Sequence, residues 1–206
     1  DEASQCAAVV PLPRAGERVL DAAAAPGGKT LTLLAWEPAV EIVAADRSVE
    51  RLALLLANRR RTGARYAVAA ADATRPPFVA AFDRVVADLP CTGSGTLRKH
   101  PELRWRIRPS EIERLVRRAA AMLDGLAPSV ASGGLLVVSS CSIEPEENEE
   151  QVIAFLESHP EFEPVDLVDR VDPAMAAGIE AAGRWRLFPE GDHDGFTVHV
   201  LRRKEA

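Results

Sequence analysis

The stretch GGLLVVSSCSIEPEEN, residues 133–148, decides the fold of this 206-residue chain. It begins with two glycines typical of a turn and continues as a short apolar run rich in β-branched residues, which predicts a buried strand. Pro145 followed by two glutamates is typical of the first turn of a helix. Cys141 therefore follows a buried strand and precedes a helix, and ligands of open α/β sheets bind at such strand ends.

Taken alone, Cys141 has two interpretations. Free cysteine is among the most frequently buried residue types, so this thiol can be a small core residue. It can instead be a nucleophile, because a helix N-terminus lowers the pKa of a thiol. Glu144, Glu146 and Glu147 act against that decrease, so the segment leaves the direction of the pKa shift open and by itself favours the core residue.

The composition is that of one domain of ordinary size, with 47% hydrophobic residues. No apolar run approaches the roughly 18 residues of a membrane span, and the first residues lack a signal-peptide pattern. Cys6, Cys91 and Cys141 are far apart and form no Cys-x-x-Cys pair, so neither a disulfide framework nor a metal site is predicted. We expect a monomeric, cytoplasmic protein without a membrane partner.

Charge is distributed unevenly over a chain whose net charge is −6. Residues 97–118 contain eight Lys or Arg and only three acidic residues, which leaves five net positive charges, and residues 59–61 form a second basic cluster. Such a run is most often a solvated helix face. The alternative is a local basic patch that contacts phosphate groups.

Predicted strands alternate with predicted helices, which indicates an α/β fold with a doubly wound, mainly parallel sheet. The last strand follows the preceding one closely enough to be antiparallel. The apolar runs that predict strands are 18–21, 40–46, 65–71, 82–89, 135–140 and 194–203. Helices are predicted at 1–12, from about 30 to 36, and at 48–62, 110–126 and 145–158, and residues 90–109 form a long loop. Residues 163–190 show no clear pattern.

Five segments whose side chains could bind a ligand or take part in a reaction follow the ends of predicted parallel strands. They are 22–29, Asp46, Asp72, 88–91 and Cys141. Because the carboxyl ends of parallel strands share one edge of a sheet, we expect these segments to form one binding site.

Residues 23–30, AAAPGGKT, resemble a phosphate-binding loop only in part. Gly28-Lys29-Thr30 fits the end of the Walker pattern, but Ala23 occupies the place of its first glycine, which weakens the interpretation as a nucleotide hydrolase. The alternative is a glycine-rich turn that lets the backbone approach a small ligand. A purely structural turn would leave Lys29 unexplained.

Asp46 lies 25 residues after Asp21. A carboxylate at about that spacing binds the ribose diol in Rossmann-like sites. Because no further phosphate-binding glycine pattern follows, an adenosine with a non-phosphate tail is favoured over a dinucleotide. Asp72 is either an acceptor for the adenine amino group or an ordinary turn residue.

Asp88-Leu89-Pro90-Cys91 places a carboxylate beside a second thiol, and this Gly-containing loop is not a core pattern. Two cysteines at two strand ends suggest thiol chemistry. None of the four histidines is spaced to pair with either cysteine, and all are predicted at the surface: His100, His159, His193 and His199.

Together, these segments resemble the RNA cytosine-5 methyltransferases of the RsmB/Sun/Nop2 type, and in detail the bacterial enzymes of small-subunit ribosomal RNA. The resemblance covers nearly the whole chain. It rests on the motifs at 20–30, 46–51, 72, 88–105, 140–148 and 194–202. It implies a class I, Rossmann-like methyltransferase fold, S-adenosylmethionine as cofactor, and RNA as partner, either ribosomal or transfer RNA.

The resemblance also implies roles for individual residues. Asp46 and Arg51 would bind the ribose, Asp72 the adenine, and Asp88 would lie near the methionine end and the target base. The loop predicted to line the methionine and ribose region consists of Ala23, Ala24, Ala25, Pro26, Gly27, Gly28 and Lys29.

The chemistry of cytosine C5 explains why such a site contains cysteines. A thiolate that adds to C6 makes C5 nucleophilic, and it leaves after a base has removed the C5 proton. A carboxyl group such as Asp88 would activate N3. DNA cytosine methyltransferases attack with the Pro-Cys thiol, which would be Cys91. The RNA family resembled here uses the next strand end, so Cys141 is the predicted nucleophile and Cys91 the helper in product release.

The sequence departs from the family pattern in three ways. Ala23 replaces a frequent cysteine, Leu89 replaces a frequent alanine, and the usual N-terminal RNA-binding portion is not part of residues 1–206. We therefore expect a single catalytic domain taken from a longer protein. A non-catalytic module that binds S-adenosylmethionine or RNA is the alternative from another functional class.

Overall fold

The structure is a computed structural model that describes residues 2–180 and 183–205. Five α-helices lie within these residues: α1 (Glu2–Ala8), α2 (Gly28–Trp36), α3 (Val49–Thr62), α4 (Pro109–Leu126) and α5 (Glu149–Ser158). The strands are β1 (Arg18–Asp21), β2 (Glu41–Asp46), β3 (Ala67–Ala70), β4 (Phe82–Asp88), β5 (Val130–Ser140), β6 (Phe162–Pro164), β7 (Ile179–Glu180), β8 (Arg184–Leu187) and β9 (Phe196–Arg203).

These strands form one sheet in the order β3-β2-β1-β4-β5-β9-β8-β7, and β6 pairs with β9. Strands β1 to β5 are parallel, whereas β9 pairs antiparallel with β5. The predicted α/β class, the parallel doubly wound sheet and its antiparallel terminal strand are confirmed. The chain reverses its winding direction between β1 and β4, so the sheet opens a crevice beside the ends of these two strands.

Two apolar layers cover the faces of the sheet. On one face, Leu33 of α2 and Leu55 of α3 pack against alternate strand residues such as Val86. On the other face, Leu123 of α4 and Phe155 of α5 pack against the intervening residues. Because successive side chains of a strand point to opposite faces, the central apolar runs supply both layers at once.

Several predicted boundaries need correction. The strand expected at 135–140 begins at Val130. Its register against β4 shifts between Val130 and Leu135, and within this interval Gly133 adopts a left-handed φ of 73°. The helix expected from Pro145 begins only at Glu149, after a short 3₁₀ turn. The helix expected over 1–12 ends at Ala8, and position 1 lies outside the described residues.

The segments without a clear pattern also contain structure. Within the long loop 90–109, Ser94–Thr96 and Pro101–Trp105 form 3₁₀ helices. Within 163–190, the described residues include a further 3₁₀ helix, Pro173–Gly178, and the antiparallel strands that extend the sheet. Short irregular strands of this kind carry too little periodicity to be recognised from sequence.

The prediction that all four histidines lie at the surface is wrong for His199. Its side chain is buried on β9, opposite Val138 of β5 and Arg184 of β8. Burial lowers the pKa of His199 to about 4, and within the described residues its Nε2 has no hydrogen-bond partner. Both faces of β9 are covered from Phe196 to Leu201, because the strand lies between β5 and β8, and the sequence interpretation did not consider this.

No helix in the described part of the chain is long and apolar enough to cross a membrane. Within 2–180 and 183–205, no three His, Cys, Asp or Glu side chains are grouped to hold a metal ion.

Candidate functional site

The carboxyl ends of β1 to β5 meet at one edge of the sheet, called the site edge below. A cleft of about 370 Å³ opens along this edge. Six of the predicted cofactor residues line it: Ala23, Ala25, Asp46, Arg51, Asp72 and Asp88. The expected segment 88–91 also contributes Leu89 and Pro90 to the lining. The sequence interpretation missed other lining residues, which include Ser48, and Arg118 and Met122 of α4.

Asp46 is fixed at the end of β2 by the backbone around it. Its carboxylate is buried and accepts hydrogen bonds from the Ala25 amide at 3.3 Å and the Ser48 amide at 3.0 Å. Arg51 approaches the same carboxylate to 3.5 Å and donates a second hydrogen bond to the carbonyl oxygen of Ala25. Since a carboxylate has about four acceptor positions, Asp46 retains capacity for ligand hydroxyl groups.

The glycine-rich loop has the predicted tight geometry. Gly27 has a left-handed φ of 108°, and a Cβ at this position would lie 2.8 Å from Leu55. Asn58 donates to the carbonyl oxygen of Pro26 at 2.9 Å, which ties the loop to α3. The remaining predicted loop residues do not line the cleft: Ala24, Pro26, Gly27, Gly28 and Lys29.

Lys29 points along the site edge instead. Its ammonium group donates to Asp88 Oδ2 at 2.7 Å and lies 4.9 Å from the centre of the Phe196 ring. Ser139, on the neighbouring strand, donates to Asp88 Oδ1 at 2.8 Å. The carboxylate of Asp88 is therefore held at the cleft from two directions, and Lys29 links the cofactor loop to it.

The two thiols predicted for chemistry lie beside each other. Cys91 Sγ and Cys141 Sγ are 3.3 Å apart and share a hydrogen bond. This hydrogen bond with Cys141 lowers the pKa of Cys91. The same bond, burial and the negative charge of Cys91 and Asp88 raise the pKa of Cys141. Cys91 is therefore the first of the pair to ionise, and the shared hydrogen bond provides a path for moving the proton between the sulfurs.

Glu147 has a structural contact that the sequence did not suggest. Glu147 is buried and accepts hydrogen bonds from the Thr92 amide at 2.8 and 3.1 Å and from the Thr92 hydroxyl at 2.6 Å. It therefore ties the loop after Cys141 to the loop after Cys91. Sequence analysis missed this role, because Thr92 lies 55 residues away and no local pattern marks the pair.

Backbone hydrogen bonds at Gly95 connect the two cysteine loops to the start of β9. The Gly95 amide donates to the Cys141 carbonyl at 3.0 Å, and the Gly195 amide donates to the Gly95 carbonyl at 2.8 Å. A Cβ on Gly95 would lie 2.7 Å from the Gly195 oxygen and 2.8 Å from the Cys141 oxygen. Only glycine allows these three segments to approach so closely.

Asp72 shows features of both interpretations given to it. Its carboxylate accepts from the amide and the hydroxyl of Thr74, both at 2.9 Å, and these bonds lower its pKa. This is the geometry of a turn residue. Asp72 nevertheless lines the cleft, so its predicted contact with an adenine remains a prediction.

Comparison with known proteins decides the family. The sequence model of "16S rRNA methyltransferase RsmB/F" matches residues 8–202. The chain belongs to the RsmB/F methyltransferase family. A curated relative from Yersinia enterocolitica, Ribosomal RNA small subunit methyltransferase B, is 35% identical over 195 residues. That match covers 93% of this chain but only 43% of the relative, so the chain spans less than half of its length.

Solved structures agree with the RsmB/F assignment. NSun6 from Pyrococcus horikoshii, determined with SFG, has a TM-score of 0.82 and 28% identity, and the match covers 99% of this chain and 52% of that one. A methyltransferase homolog protein from the same organism has a TM-score of 0.72 and 26% identity, covering 98% and 66%. The class I fold and S-adenosylmethionine as cofactor, both implied by the resemblance, are thereby confirmed.

Proposed function

We propose that this RsmB/F domain transfers a methyl group from S-adenosylmethionine to C5 of a cytosine in ribosomal RNA through a covalent bond between Cys141 and cytosine C6. The observation that carries the proposal is the thiol pair, 3.3 Å apart, beside a carboxylate at the mouth of the cleft. A binding module without catalysis would need neither thiol. The name of the Yersinia relative supports ribosomal over transfer RNA.

The cleft has the features that an adenosine ligand requires. A buried carboxylate with spare acceptor positions, Asp46, faces a space bounded by the small side chains of Ala23 and Ala25. In the proposal, Asp46 and Arg51 hold the ribose and Asp72 the adenine. S-adenosylmethionine supplies an electrophilic methyl group when bound.

The thiols divide the acid–base work in the proposed reaction. Cys91 ionises first, and its thiolate accepts a proton only late in the reaction, whereas Cys141 loses its own proton to water and becomes the attacking thiolate. This thiolate adds to C6 of a cytosine that has left its stack, which makes C5 nucleophilic. After C5 has been methylated, the Cys91 thiolate removes the C5 proton, and the Cys141 thiolate then leaves. Cys91 then provides the proton that restores the pair.

In the proposal, Asp88 activates the pyrimidine ring. It lines the cleft, and Lys29 and Ser139 fix its two carboxylate oxygens. In the proposal, Asp88 exchanges a proton with N3, which stabilises the ring while Cys141 is attached to C6.

The two cysteines can be tested separately. We expect Cys91→Ala to accumulate a covalent protein–RNA adduct in the presence of S-adenosylmethionine, because the helper that frees the product is missing. Cys141→Ala should form no adduct and no methylated RNA. Denaturing gels and mass spectrometry of digested RNA measure both products, and Cys6→Ala, which removes the third cysteine, is the matched control.

Other outcomes would reject parts of the proposal. An adduct formed by Cys141→Ala but not by Cys91→Ala would make Cys91 the nucleophile. Methylation by a Cys91 and Cys141 double alanine variant would exclude a covalent mechanism altogether.

A further inference from the structure

An exposed aromatic ring lies in the basic loop close to the thiol pair. Trp105, the last residue of the 3₁₀ helix Pro101–Trp105, is 77% exposed. Arg104, Arg106 and Arg108 surround it in sequence and are exposed as well. Among the described residues, no hydrogen bond or ion pair engages the side chains of these three arginines. A large exposed ring beside unneutralised charges is typical of a binding surface.

This short helix is anchored at the thiol pair. A Cβ placed on Gly93 would lie 3.4 Å from the Leu103 side chain and 3.9 Å from Cys141 Sγ, so both groups border the same small space. Trp105 follows Leu103 by two residues, so the Cα atoms of these two residues are at most about 7 Å apart. The backbone of Trp105 therefore lies close to a residue that borders the thiol pair.

The loop that carries Trp105 is also held on its other side. Lys99 donates to Asp194 at 2.9 Å, and Arg98 donates to the carbonyl oxygen of Asp192. The backbone amides of Arg106 and Ile107 both bond to the Leu103 carbonyl, at 2.8 and 3.0 Å. These contacts fix the loop while leaving the indole ring in solvent, which limits the conformational entropy lost when a ligand binds.

We propose that Trp105 stacks on a base of single-stranded RNA next to the target cytosine, and that Arg104, Arg106 and Arg108 contact the adjoining phosphates. The chemistry that fits this surface is a polyanion with exposed aromatic faces. Single-stranded RNA supplies both, and stacking on an aromatic side chain does not require a particular sequence. This inference rests on the proposed function, because it takes RNA as the substrate.

Tryptophan fluorescence tests the stacking directly. The chain contains three tryptophans, of which Trp185 is only 1% exposed. Trp36 lies at the far end of α2, away from the site edge, and is 47% exposed. We expect a short cytosine-containing single-stranded RNA to quench the fluorescence of the wild-type protein and of Trp36→Phe. Trp105→Phe should lose this quenching.

Affinity measurements separate stacking from electrostatics. Trp105→Ala should weaken binding of the same RNA about 10-fold, whereas Trp105→Phe should retain it, since phenylalanine also offers a ring for stacking. Arg106→Gln should reduce the slope of log affinity against log salt by about 0.7, and Trp105→Ala should leave that slope unchanged. Trp36→Ala is the matched control for both measurements.

Defined results would overturn the inference. RNA affinity that is the same for Trp105→Ala and the wild-type protein rejects it, as does quenching that disappears in Trp36→Phe. In either case the surface would serve another macromolecule, such as a protein. Binding is measured without S-adenosylmethionine, and adduct formation is measured separately with it. Quenching by RNA combined with no adduct in Cys91→Ala would reject the proposed reaction but not the stacking surface. Unchanged RNA affinity of Trp105→Ala combined with an adduct in Cys91→Ala would reject only the stacking surface.

Discussion

The ends of β1 and β2 and the ends of β4 and β5 share the site edge, but their side chains are held in different ways. At the first pair, Asp46 bonds to the backbone of Ser48, two residues away, and of Ala25 in the loop before α2. At the second pair, Cys91 bonds to Cys141 across 50 residues and Thr92 to Glu147 across 55.

This difference separates the part of the site that would bind the cofactor from the part that would carry out the reaction. The cofactor half, at β1 and β2, depends on small residues and backbone amides, which a short motif specifies. The thiol half, at β4 and β5, depends on side-chain pairs that exist only in the folded sheet. We therefore expect substitutions in the thiol half to have large effects on the reaction and the fold, and substitutions in the cofactor half to have moderate effects on binding.

After the complete loss expected for Cys141→Ala, the largest effect is expected for Asp88→Asn. Asparagine keeps the size of the side chain and can still bond to Lys29 and Ser139, but it cannot exchange a proton with cytosine N3. Methyl transfer should fall about 10³-fold, measured by radiolabel incorporation into RNA. The control is Asp83→Asn, at the opposite end of the same strand, where the carboxylate pairs with Arg18. Equal activity of the two variants would remove Asp88 from the proposed mechanism.

The next effect concerns stability and pH. Burial lowers the pKa of His199 from 6.5 to about 4, so the folded protein keeps it neutral while the unfolded chain takes up a proton below pH 6.5. Stability contributed by neutral His199 is thus present above pH 6.5 and lost as the pH falls towards 4, by about 3 kcal/mol in total.

This pH effect can be isolated by substitution. The difference in free energy of unfolding between pH 7 and pH 4.5 should be smaller in His199→Gln than in the wild-type protein, measured by urea denaturation. His193→Gln, which changes a less buried histidine, should keep the wild-type difference. An unchanged difference in His199→Gln would show that another group controls the acid response.

A smaller loss is expected when the link between the two cysteine loops is cut. Glu147→Ala leaves the buried amide of Thr92 without its acceptor, which should lower the free energy of unfolding by about 2 kcal/mol. The neighbouring Glu146 is exposed, so Glu146→Ala should change it by less than about 0.5 kcal/mol. Equal stability of the two variants in urea would mean that the Thr92 contact contributes nothing to the fold.

The smallest effect is expected in the cofactor half. Asp46→Asn removes the charge that would bind the ribose hydroxyl groups but can still accept a backbone hydrogen bond. Calorimetric affinity for S-adenosylmethionine should fall about 10-fold. Glu41→Gln, at the opposite end of β2, is the control and should bind as the wild-type protein does. A loss of catalysis without loss of affinity in Asp46→Asn would contradict the division between the two halves.

The same division explains how far the sequence could predict the structure. The strand Arg18–Asp21 and the left-handed Gly27 follow from short-range patterns, and the structure has both. The burial of Glu147 and His199 depends on partners and faces supplied by distant strands, so local composition did not indicate it for Glu147 and suggested a surface position for His199. The start of α5 at Glu149, later than predicted, also involves a distant partner, because Glu147, just before this helix, accepts a hydrogen bond from Thr92.

The contact at Gly95 has a consequence for how the protein is made. Its amide bonds to Cys141 and its carbonyl to Gly195, and β9 follows directly after Gly195. Chains are synthesised from the N-terminus at about 5–20 residues per second, so Cys91 leaves the ribosome several seconds before β9 can insert between β5 and β8. The cofactor half can form early and locally, while the two thiols are brought into their final register only when the last strand closes the sheet.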